Sequence, residues 1–123
     1  MKAILQINAV IEILAGFVLL FNPQLLLYNA NPELQGIAVA KLYGICAFCF
    51  GLITHIVSKQ FVYNLMFKRI ILVVITFHFV VALYIFSLYN QSITPHPGAA
   101  ILHASLAGIF ILIYLKNMQK FSL

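Results

Sequence analysis

Four long apolar runs, separated by short polar connections, make up most of this chain. The first extends from Ala3 to Phe21 and is interrupted by Gln6, Asn8 and Glu12. The second, Ile37 to Val57, contains Lys41. The third, Ile70 to Tyr89, contains His78, and the fourth, Ala99 to Leu115, contains His103. A bilayer core about 30 Å thick is crossed by about 20 helical residues, within a range of about 17 to 25. All four runs fit that length. Backbone groups in lipid must hydrogen-bond among themselves, and no run alternates polar and apolar residues as a barrel strand does. The pattern therefore predicts an all-α fold, an integral membrane four-helix bundle. It forms one transmembrane domain over residues 1–123, with helices over about 3–21, 37–57, 70–89 and 99–115.

Proline placement agrees with these bounds. Asn22-Pro23 follows the first run, Asn31-Pro32 precedes the second, and Pro95 and Pro97 precede the fourth. Proline suits connections and first helical turns and disrupts helix interiors. The first run has the length and the leading lysine of a secretory signal. Glu12 in its middle and the lack of a small-x-small cleavage site predict that it is retained as a helix.

Composition supports the same class. Of 123 residues, 64% are hydrophobic and 7% charged, whereas a soluble domain carries about 25% charged residues. Nine charges cannot coat a small soluble fold, which exposes much of its surface. The net charge of +5 does not indicate a nucleic-acid binder, because the basic residues form no stripe along a polar face. They gather at the ends of the apolar runs. Lys2 precedes the first, Lys59, Lys68 and Arg69 lie between the second and third, and Lys116 and Lys120 follow the fourth. The other two connections contain no lysine or arginine. The positive-inside rule then predicts both chain ends in the cytoplasm of a multi-pass cell-membrane protein. One outer connection carries Leu25-Leu26-Leu27-Tyr28, suited to the lipid–water interface. The other begins near Asn90-Gln91-Ser92, an acceptor pattern common by chance.

Ionisable groups within membrane helices are costly and mark functional candidates. Counting inward at 1.5 Å per residue, Glu12 and His78 lie about 13 Å from the inner ends, and Lys41 and His103 about 7 Å from the outer ends. Asn8 lies one turn from Glu12 on the same face. Lys41, Gly44, Phe48, Gly51 and His55 share a stripe on the second helix. His96, Ala100, His103, Ala107, Phe110 and Tyr114 share one on the fourth. Two glycines in the first stripe predict a close approach to another helix. These placements gather Asn8, Glu12, Lys41, His78 and His103 into a buried polar cluster. Two readings of it stay open. One is a structural Glu12–Lys41 ion pair, completed by the histidines. The other is a pocket, open to the outer side, that binds a small ligand or relays protons.

A metal held by Glu12, His78 and His103 would be a two-histidine, one-carboxylate set. The roughly 9 Å offset of His103 in depth argues against it. Haem needs two histidines at one depth, and His55, His78 and His103 differ. No cofactor, metal or catalytic residue is therefore assigned. Cys46-Ala-Phe-Cys49 has redox spacing, but it lies mid-span, where thiolate is poorly solvated. It is read as small apolar packing. Ala100, Ala104 and Gly108 form a small-xxx-small ladder that packs either within the chain or between chains.

The layout resembles the small four-helix bacterial membrane proteins of the DoxX-like type. The resemblance rests on Gly16-Phe17-Val18-Leu19-Leu20-Phe21-Asn22-Pro23, and on Ala40-Lys41-Leu42-Tyr43-Gly44 followed by Gly51-Leu52. It implies a four-helix membrane fold. Some proteins of that type are associated with quinone-linked electron transfer. The resemblance carries no catalytic residue onto this chain. The leading expectation is a small-ligand-binding or accessory membrane subunit, in contact with the lipid bilayer and with either further copies of itself or a partner subunit. A quinone-linked redox protein and a small transporter or channel component are the alternatives.

Overall fold

The computed structural model describes residues 1–27 and 33–121. Four helices form, α1 (Lys2–Phe21), α2 (Leu34–Lys59), α3 (Leu65–Asn90) and α4 (Gly98–Lys116). Short 3-10 turns occur at Pro23–Leu26 and Met118–Phe121. Tyr28, Asn31 and Pro32 lie outside the described residues. All four helices are long and apolar enough to cross a membrane. Helices α2 and α3, with 26 residues each, overrun their apolar runs at both ends. Those runs mark only what sits in hydrocarbon, whereas the helix continues until something caps it. At the start of α3 the cap is Asn64, whose side chain accepts from the Phe67 amide at 2.9 Å.

The helices pair as two tight antiparallel hairpins, α1 with α2 and α3 with α4. The first hairpin is built on missing side chains. A Cβ on Gly16 would lie 2.5 Å from the Phe48 nitrogen and 2.6 Å from the Gly44 oxygen. One on Gly51 would lie 2.8 Å from the Ile13 nitrogen and 2.9 Å from the Ala9 oxygen. Lipid gives helices no hydrophobic reason to associate, so close backbone packing of this kind holds them together. The expectation that Gly44 and Gly51 mark a close approach is met, and the partner is α1.

The two hairpins meet through longer side chains. Ile4 and Leu5 of α1 pack with Ile71 and Val74 of α3 and Phe110 of α4. Phe50 of α2 stacks on Phe77 of α3, with ring centroids 4.1 Å apart. At one end of the bundle the chain ends and the α2–α3 connection converge. Tyr63 donates to the Asn117 side chain at 3.3 Å, and Lys120 lies over the Tyr63 ring. Burial, and then Lys120, hold the Met1 amino group below its ordinary pKa. Large apolar side chains such as Leu14, Leu34, Val73, Leu83 and Leu112 cover the outside. Such an exterior suits a hydrocarbon solvent.

Candidate functional site

The seam between the hairpins holds the polar residues. Asn8 and Glu12, one turn apart on α1, are both buried. His78 of α3 is fully buried, and His103 of α4 nearly so. The Nδ1 atoms of the two histidines are 2.8 Å apart. Glu12 Oε1 lies 3.7 Å from His78 Nδ1 and 3.8 Å from His103 Nδ1. The Phe110 ring stacks against that of His78, with centroids 6.0 Å apart.

Four of the five residues expected in the cluster are buried in the bundle, and Glu12, His78 and His103 are in mutual contact. Lys41 is not among them. It is exposed on α2, and among the described residues the ion-pair partners of Glu12 are the two histidines. The Glu12–Lys41 pair is thus overturned. The buried face of α2 is instead Ala40, Gly44, Ala47, Gly51, Thr54 and Ser58. Lys41 stands about 100° away from Ala40, on a stem long enough to carry its ammonium toward the headgroups.

The depth argument against His103 also fails, for a geometric reason. After α3 the chain doubles back. The Ile93 amide donates to the Leu88 oxygen at 2.9 Å, with Ser92 in the left-handed region at φ 57°. Helix α4 therefore starts well below the end of α3. From His78 to the end of α3 is about 18 Å of helix, whereas from the start of α4 to His103 is about 7 Å. The stagger brings the two histidines level.

A residue not singled out from the sequence completes the group. The Tyr43 hydroxyl lies 3.0 Å from His103 Nε2. Several polar atoms stay without hydrogen-bond partners among the described residues, namely both amide atoms of Asn8, Glu12 Oε1, His78 Nε2 and Thr94 Oγ1. Buried polar groups are normally paired, so this concentration is unusual.

Two clefts open along the α2–α3 seam, on either side of the Phe50–Phe77 stack. The one toward the basic end, about 610 Å³, is lined by residues such as Leu5, Val57 and Val73, with Arg69 as its charged member. The other, about 710 Å³, lies among Val39, Tyr43, Val81, Tyr84, Ile85 and Thr94. It touches the polar cluster through Tyr43, whose ring forms part of its wall. Cys46 lines this cleft too. Both cysteines are free and exposed. Of the small-residue ladder on α4, Ala100 is buried and Ala104 exposed, and a Cβ on Gly108 would meet nothing within 4 Å.

No protein family, curated protein or solved structure matches this chain. The architecture and the site therefore stand on their own geometry.

Proposed function

We propose that this is a multi-pass cell-membrane protein that binds a small bilayer-dissolved molecule, one with an apolar body and a hydrogen-bonding head. The basic end of the bundle faces the cytoplasm, and the ligand enters sideways between α2 and α3. One observation carries this reading: Tyr43 belongs both to the wall of the apolar cleft and, through its hydroxyl, to the buried histidine pair. Pockets for small ligands are mostly apolar with a few placed polar groups, and this cleft adds the unpartnered Thr94 hydroxyl to Tyr43.

The proton arrangement favours the same role. The short Nδ1–Nδ1 contact holds one proton. With that proton on His78, His103 carries its own on Nε2 and donates to the Tyr43 oxygen. The Tyr43 O–H is then free to donate to a carbonyl or hydroxyl in the cleft. The opposite tautomer leaves a buried His78 Nε2–H without an acceptor, which is costly.

A photoreactive probe tests the reading. A fully substituted benzoquinone with a diazirine on a decyl tail is expected to crosslink to cleft residues such as Val39, Val81 and Tyr84. Unlabelled quinone competes, and Tyr43→Phe weakens the labelling. Crosslinks spread over Phe17, Leu112 and other outward positions in proportion to exposure overturn it.

A redox version of this function has one specific support, the placement of Cys46 at the cleft with Cys49 one turn on. In it the two thiols give two electrons and two protons to a quinone, leaving a 46–49 disulfide and a quinol. The DoxX-like resemblance points to the same ligand class. Unchanged free thiols after quinone addition leave the binding reading alone in place.

A further inference from the structure

Glu12, His78 and His103 come from three different helices, all three are buried, and one donor atom from each lies within 4.8 Å of the others. We propose that these three residues form a site for a divalent transition metal, zinc or ferrous iron. The site does not depend on the cleft reading, since its donors lie behind Tyr43 and are supplied wholly by the bundle interior.

Metal–nitrogen and metal–oxygen bonds of about 2.0–2.2 Å place tetrahedral donors about 3.3 Å apart. The three separations here, 2.8, 3.7 and 3.8 Å, bracket that figure. The histidines need to part by about half an ångström, and the carboxylate to close by about as much.

Glu12 Oε1 accepts no hydrogen bond among the described residues. Two separate Nδ1–H donors would satisfy it, but the two Nδ1 atoms face each other at 2.8 Å and share one proton. A cation between the three groups removes the conflict. It takes the Nδ1 lone pair of each imidazole and one from the carboxylate, and the proton of the short contact moves to His78 Nε2, which has no hydrogen-bond partner among the described residues. Buried carboxylates are held by pairing, hydrogen bonding or metal coordination, and Lys41 is not there to pair.

A histidine bound to metal through one nitrogen usually donates its other N–H to a fixed oxygen. His103 does this with Nε2 on the Tyr43 hydroxyl. Two imidazoles and one carboxylate suit zinc or ferrous iron and do not suit magnesium or calcium, which take oxygen ligands. Three protein donors also leave a coordination position open.

The test uses the full chain in mild detergent, purified on a tag without histidine. Separate samples are incubated with zinc, with ferrous iron under argon and with magnesium, then desalted, and metal per chain is measured by mass spectrometry. Retention of one zinc or one iron per chain is expected, with magnesium lost. Glu12→Gln, His78→Gln and His103→Gln are expected to abolish retention, and His55→Asn and His96→Asn to leave it unchanged. Tyr43→Phe is expected to weaken affinity about tenfold to a hundredfold. Should the ligand variants misfold by circular dichroism, X-ray absorption of the zinc-loaded wild type decides. Two imidazole nitrogens in its first shell support the site, and a shell of sulfur or of oxygen alone overturns it. Wild-type protein that retains no more zinc or iron than folded Glu12→Gln overturns it as well.

Discussion

Tyr43 on α2 and His103 on α4 hydrogen-bond across the seam between the hairpins, hydroxyl to Nε2, at 3.0 Å. This contact ties the apolar cleft to the buried histidines, and it is the polar link from α2 to the cluster. Tyr43→Phe keeps the ring and removes the oxygen, leaving the buried His103 Nε2 without its hydrogen-bond partner. The expected loss is about 1–3 kcal/mol of stability. Thermal unfolding in detergent measures it, and an unchanged midpoint contradicts the bond.

The close approach of α1 and α2 makes an unequal set of glycine predictions. Gly16→Ala and Gly51→Ala each drive a Cβ into backbone atoms of the facing helix. Each is expected to cost at least about 1–3 kcal/mol, as overpacking does. Gly108→Ala adds its Cβ to open space and is expected to be neutral or slightly stabilising, since alanine favours helix. Parallel melting curves of the three variants check the order. Equal losses at Gly16 and Gly108 contradict the hairpin.

Lys41 and Glu12 are expected to behave as strangers. Lys41→Gln, on the exposed face of α2, is expected to change stability by less than about 0.5 kcal/mol. Combined with Glu12→Gln, the two effects are expected to add within about 0.5 kcal/mol. A double-mutant cycle measures this, and a coupling well above that value restores the ion pair.

These residues also show how far the sequence could be read. The four helices were legible because apolar runs of membrane-spanning length have no other stable form in lipid. The interior face of α2 was not, because two helical stripes pass through Gly44 and Gly51. One runs through Lys41, Phe48 and His55, the other through Ala40, Ala47, Thr54 and Ser58. Weight given to the charge selected the first. The small and hydroxyl residues of the second were the better sign, since close packing needs them. Tyr43 carries no charge, so the cost of ionisable groups in lipid, which marks Glu12 and the histidines, does not mark it. The meeting of His103 with Glu12 and His78 depended on the doubling back at Ser92, which no count along a straight helix contains. Glu12 and His78, placed at one depth by that count, do meet.

Orientation is open to direct measurement. Reporter fusions at Asn29 and Thr94 are expected to read as external, and a fusion at Tyr63 as cytoplasmic. The six basic residues flanking the apolar runs lie at the Tyr63 end, and such residues are retained on the cytoplasmic side. A cytoplasmic signal at Thr94 contradicts four alternating crossings.

On the proposed function, the cleft beside Tyr43 is occupied by a small molecule taken from the bilayer. Native mass spectrometry of the full chain, released from membranes in mild detergent, measures this most directly. One adduct per chain is expected, of a defined apolar molecule with an oxygen-bearing head. The adduct is expected to be depleted in Tyr43→Phe and absent in Val81→Phe, which fills the cleft. A chain that carries no adduct, or the same adduct in all three proteins, contradicts it.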